Sequence, residues 1–169
     1  TRRFSAKTGQ RMMERNPADH RVRLGEARNH LDLKEVKESL EVLDDILSHH
    51  PNFAPAYALL GQALVEDHQL EALPGWIEQA PAGSEDYLEY WLTLGDWASY
   101  NSRHSEAARA YWEATKRDPN DPGAFSRLAI ALRRIEAEDQ DKNRELPFTP
   151  QELADMDQRV SNLLSMRKH

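Results

Sequence analysis

Residues of matching size recur 34 positions apart, and this recurrence constrains the chain more than any other feature. Tyr57, Trp91 and Phe125 stand on that interval, as do Leu60, Leu94 and Leu128, and Gly61, Gly95 and Ala129. A bulky aromatic is thus followed three residues on by leucine and then by a small residue, three times over. The unit is clearest in Leu88–Asp121. Trp91, Leu94 and Ala98 fall on one face of a first amphipathic helix. Ala107, Tyr111 and Ala114 fall on one face of a second. Asp118-Pro119-Asn120-Asp121 then stops the second helix, because proline lacks the donor and the space to continue it. A helical hairpin of this length cannot bury its apolar stripe alone, so neighbouring units must stack.

The residues Trp91, Leu94, Gly95, Ala98, Ala107, Tyr111, Ala114 and Pro119 closely resemble the tetratricopeptide repeat (TPR) pattern. Only Ala98 departs from it, being smaller than usual. The resemblance implies an all-α fold, a right-handed α-solenoid of stacked antiparallel helix pairs. It also implies that the first helix of each repeat lines a concave groove. Carried over position by position, the groove receives Ala58, Leu59, Gln62, Val65 and Glu66 from the repeat at Ala54. The next repeat offers Glu89, Leu92, Thr93, Asp96, Ser99 and Tyr100, and the third offers Ser126, Arg127, Ile130, Arg133 and Arg134. The polar contacts expected of a partner-binding groove are therefore Gln62, Glu66, Glu89, Thr93, Asp96, Tyr100, Arg127, Arg133 and Arg134. They give an acidic middle and a basic C-terminal end. TPR domains that hold the terminal carboxylates of chaperones use a clamp of Lys, Asn and Arg. The matching positions here are Ala58, Gln62, Thr93, Gly123 and Arg127. Only Arg127 keeps the type, so no chaperone C-terminus is expected to bind.

A single domain over residues 1–169 is expected. Residues 1–17 read as a half repeat, with Phe4, Met12 and Met13 as its apolar surface. Residues 18–53 read as a degenerate repeat, with Arg23 and Glu26 in the slots of Tyr57 and Leu60. Its first helix, Asp19–Leu33, takes Val22, Leu24, Ala27 and Leu31 as its apolar face. Its second, Asp32–His49, takes Val36, Leu40, Leu43 and Leu47. Residues 54–87 and 88–121 are regular repeats. In the former, Pro74-Gly75 limits the second helix to about Glu71–Gln79, with proline in its first turn and Trp76 and Ile77 inward. Ser84 is the expected N-cap of the following helix. Residues 122–169 open with Phe125, Leu128, Ala129 and Leu132 over Pro122–Glu136. A polar insertion, Ala137–Phe148, then breaks the period. Thr149-Pro150-Gln151-Glu152 is a capping box ahead of a final capping helix carrying Leu153, Met156, Val160, Leu163 and Leu164.

Charge narrows the function classes. Residues 1–24 carry seven Lys/Arg and two Asp/Glu, whereas the other 145 carry fifteen and twenty-seven, for a net charge of −7. An acidic body disfavours general nucleic-acid binding. No run approaches the roughly 18 apolar residues of a membrane helix. The absence of cysteine removes disulfides, thiol catalysis and thiolate metal sites. It leaves cytoplasmic and periplasmic locations both compatible. The chain opens on Thr1, from which a piece of a longer protein is expected.

No catalytic or cofactor motif emerges, so neither an enzyme nor a cofactor is expected. His49 and His50 are adjacent and diverge on a helix, which suits a helix end better than a metal. His68 and His104 fall in turns. Asp44-Asp45 and Glu85-Asp86 diverge likewise. The leading expectation is a non-catalytic scaffold that binds a partner peptide or helix. Its alternatives are an assembly arm of a larger enzyme or membrane-associated complex, and a homo-oligomerisation module using the terminal helices.

Overall fold

Three turns repeat on the 34-residue interval, and they set the architecture. The computed structural model describes residues 17–138, 148–149, 151–152, 154–156 and 158–159. Lys34, His68 and Ser102 all adopt left-handed backbone conformations, with φ of 63°, 58° and 57°. Each ends a first helix with the same pair of hydrogen bonds. The amides of Lys34, His68 and Ser102 donate to Leu31, Val65 and Ser99, and the next amides, Glu35, Gln69 and Arg103, donate to His30, Leu64 and Ala98. This doublet satisfies the last carbonyls of a helix and reverses the chain tightly. The degenerate repeat therefore keeps the turn even where it has lost the aromatic.

The helices are α1 (Pro17–Asp32), α2 (Val36–His49), α3 (Ala54–Glu66), α4 (Leu73–Glu78), α5 (Leu88–Tyr100), α6 (His104–Arg117) and α7 (Pro122–Glu138). All regular structure among the described residues is helical. The fold is an all-α solenoid type, with antiparallel helix pairs stacked inside each of two compact units, Thr1–Ser84 and Glu85–His169.

In the first unit α2 packs on α1 and α3. Ala27, Leu43, Ile46, Ala56, Leu59 and Ala63 form its core, with Leu24, Leu31, Leu40 and Leu47 at the margin. The inward face of α2 differs from the expected one: Ser39, Leu43 and Ile46 are its buried residues. Ser39 is fully buried because its hydroxyl donates to the Ala27 carbonyl at 2.8 Å, which joins two backbones through one small polar side chain. Val22 is 58% exposed. It sits two positions from Leu24, so it points to the opposite side of α1. In α4 the inward pair is Leu73 and Trp76 rather than Trp76 and Ile77. Proline does lie in the first turn of α4, preceded by a 3₁₀ turn, Leu70–Ala72. Tyr57 stacks on Trp76 at 5.4 Å, and the Trp76 indole donates to the Tyr57 carbonyl at 2.9 Å.

The second unit is built on α6, which packs on both α5 and α7. Trp112, Ala107, Ala108, Tyr111 and Ala114 bury against Leu92, Ala98, Phe125 and Leu128. A Cβ placed on Gly95 would lie 2.3 Å from the Tyr111 ring, so the glycine is required for the ring to seat. Ala129, its counterpart one period on, is exposed. The position matching Tyr111 there is Glu145, so the sequence supplies no aromatic to cover it. Ser84 does not cap α5. It is buried, its hydroxyl donates to the Pro81 carbonyl at 2.7 Å, and α5 starts four residues later behind Tyr87.

The capping box is present as expected. The Thr149 amide donates to the Glu152 carboxylate, and the Glu152 amide donates to the Thr149 hydroxyl, both at 3.2 Å. Glu152 also accepts from Arg109 at 2.6 Å and from the Trp112 indole at 3.0 Å. Met156 and Phe148 bury in the same core. Helical residues beyond the polar insertion thus close the apolar face of α6. Residues 1–16 of the half repeat expected over 1–17, and Leu153, Val160, Leu163 and Leu164, lie outside the described residues, and Pro17 opens α1.

Candidate partner-binding face

Two strips meet on α5 and α7. On α5, Asp96 and Tyr100 are one turn apart. On α7, Arg127, Ile130 and Arg134 follow one another at one-turn intervals. Two cross-helix hydrogen bonds lock the strips side by side. Arg127 donates to Asp96 at 3.0 Å, and Arg134 donates to the Ser99 hydroxyl at 2.9 Å. Beneath them, the Tyr111 hydroxyl of α6 donates to the other Asp96 oxygen at 2.6 Å. Burial, the Asp96 charge and that hydrogen bond raise the Tyr111 hydroxyl far above its ordinary range, so it stays a protonated donor. Asp96 is thereby held by a tyrosine from the core and an arginine from the next repeat.

Exposure divides the expected groove residues. Tyr100 and Ile130 are 54% and 44% exposed, and Arg133 and Arg134 are also open to solvent. Thr93 has no exposed surface; its hydroxyl donates back to the Glu89 carbonyl at 2.7 Å, so it cannot touch a partner. Gln62 is buried in the first unit, and Glu89 is half-buried. Glu66 is exposed and pairs with Lys34 at 3.4 Å. Ala58 and Leu59 are buried. The part played by Tyr111 is not stated by its position in the repeat. The available signal was its hydroxyl, since a buried phenol at a slot that a phenylalanine would fill needs a partner.

The histidines diverge as their spacing requires. His49 faces Asp45, whose carbonyl lies 3.0 Å from Nδ1, while His50 stacks on His20 at 4.3 Å. Among the described residues no group of three or more His, Asp or Glu is placed to hold a metal ion, and no helix is long and apolar enough to cross a membrane.

No family model matches the chain, and no curated protein matches it in sequence. Solved structures do match its fold. A structure titled "MamA RS-1 ArsTM double mutant" superposes with a TM-score of 0.57 at 17% identity, over 98% of this chain and 89% of the other. Residues 41 to the end of MamA from Desulfovibrio magneticus RS-1 superpose at 0.55 and 16% identity, over 99% and 88%. At these identities the likeness establishes the fold.

Proposed function

We propose that the chain is a TPR-type repeat protein and a non-catalytic scaffold, which binds a segment of a partner protein on the outward face of α5 and α7. The observation that carries this reading is the exposure of Tyr100 on α5 and of Ile130, between Arg127 and Arg134, on α7, two helices whose relative position is fixed by the Tyr111–Asp96–Arg127 network. A rigid platform loses little entropy on binding, and aromatic and arginine side chains are the usual anchors of protein interfaces. Three further considerations support the reading. On this face Asp96, Arg127 and Arg134 are engaged in hydrogen bonds that hold helices together, and among the described residues no nucleophile and base are set against one another there. The acidic charge balance weighs against nucleic acid. The fold likeness to MamA is a likeness to a helical repeat.

A chaperone C-terminus is not the proposed ligand. The one clamp-like residue, Arg127, already donates to a carboxylate from within the chain. Affinity purification from the native source tests the proposal, comparing the wild-type chain with a Tyr100→Glu/Ile130→Glu variant of unchanged helical content. Loss of the captured partner from the variant supports the face. Equal recovery from both overturns it.

A further inference from the structure

We infer that the α5–α7 face takes an acidic protein segment, read by Arg133 and Arg134 beside an apolar anchor on Tyr100 and Ile130, with Asp96 acting as a built-in carboxylate that fixes the register. This rests on the docking face proposed above and adds the chemistry of its occupant.

The charges on the face are unequal from end to end. At one end, Arg127 is matched by Asp96 at 3.0 Å, and Asp96 is only slightly exposed. A ligand carboxylate approaching there meets an arginine already paired, with a like charge beside it. At the other end, Arg134 donates to the neutral hydroxyl of Ser99, which orients the guanidinium without meeting its charge. Among the described residues no ion pair engages Arg133 or Arg134. An anion is therefore better received beside Arg133 and Arg134 than beside Arg127, whose charge Asp96 already meets.

Spacing fixes the pattern. Ile130 and Arg134 are four residues apart on a helix, about 6 Å along its axis. Two residues of an extended strand cover about 6.6 Å. A segment with a large apolar side chain at one position and a carboxylate two positions later thus meets both. Exposed apolar surface beside arginine suits such a segment better than an anionic membrane. A membrane surface would also face the rest of a chain with net charge −7, whereas a short segment meets only the patch.

The probe is a fluorescein-labelled synthetic peptide repeating an apolar residue, Gly and Glu, with Gln and Lys analogues in place of Glu. Anisotropy is measured on the full chain. The Glu peptide should bind, the Lys analogue should not, and affinity should fall at least tenfold in Arg133→Glu/Arg134→Glu. Asp96→Asn keeps a hydrogen-bond acceptor for Tyr111 and removes the competing charge, so it should tighten the Glu peptide severalfold. That gain cannot come from misfolding. Equal affinity for the three peptides, an unaltered affinity in the Asp96→Asn variant, or binding to anionic lipid vesicles without the Glu peptide overturns the inference. If the peptides bind without charge preference and Tyr100→Ala/Ile130→Ala abolishes it, the docking face stands and its proposed chemistry fails. If the native partner is still captured by Tyr100→Glu/Ile130→Glu, both fail.

Discussion

Gly95 and Ser102 are small residues with opposite consequences for substitution. At Gly95 the helix would welcome a Cβ on propensity alone, by up to about 1 kcal/mol. The Tyr111 ring forbids it at 2.3 Å, and the ring cannot swing away without breaking its bond to Asp96. Gly95→Ala is therefore expected to lower stability in urea unfolding by about 1–3 kcal/mol, the cost of overpacking. A gain would mean that the ring yields freely. At Ser102 the backbone is left-handed, with φ of 57°, where a side chain is strained and glycine is not. Ser102→Gly is expected to add roughly 0.5–1 kcal/mol in the same assay, since relief of strain exceeds the extra freedom of the unfolded chain. The sequence announced Gly95 through its period. It did not announce Ser102, because serine carries no mark of a positive φ. Only the recurrence of Lys34, His68 and Ser102 at one interval identifies the turn.

At the scale of helices, acid should act on the two units at different pH values. In the first unit, burial lowers His20 from its ordinary 6.5, and repulsion from His50, stacked on it, lowers it further. A depressed histidine favours the neutral form on folding. It contributes stability above 6.5 that is lost as pH falls from there toward the lowered folded value. In the second unit the Thr149 amide, with Arg109 and the Trp112 indole, lowers Glu152 from 4.5. Burial opposes the shift at Glu113, but bonds from Arg117 and Lys116 outweigh it. These carboxylates contribute stability above 4.5 that is lost as pH falls through their lowered folded values. Thermal melts between neutral pH and about 3 should show an early decline that His20→Phe removes and a late one that Glu152→Gln reduces. Glutamine still closes a capping box, so the second variant isolates charge from geometry. A late decline untouched by Glu152→Gln would remove the carboxylate from its assigned place. The capping box was legible because its residue types answer one another at fixed spacing. The inward faces of α2 and α4 were less so. Ser39 is buried by a backbone bond that no hydropathy pattern encodes, and Leu73, at the very start of a six-residue helix, is buried beside Trp76.

For the whole molecule, the charge distribution sets which ligands can approach. Residues 1–24 hold an excess of five positive charges, and the remaining 145 an excess of twelve negative ones. The fold class was readable from the 34-residue period, whereas the residues of the α5–α7 face were expected only from the resemblance to the TPR pattern. What the period leaves out is which outward positions are already satisfied. Arg127, Asp96 and Thr93 read as groove residues by position, yet two pair with each other and the third is buried. Net charge acts at longer range than any of these contacts. A duplex held by the basic N-terminal residues would release counterions and show a log–log salt slope of about −0.9 per phosphate contacted. Against this, an acidic body repels the phosphates within the screening length of about 8 Å at physiological salt. The full chain should therefore leave a labelled DNA duplex unshifted in a gel at physiological ionic strength, and the Glu peptide should bind under the same conditions. A shift that persists there, with a slope of several units and with the peptide excluded, would make the N-terminal basic residues the site of ligand capture and the α5–α7 face secondary.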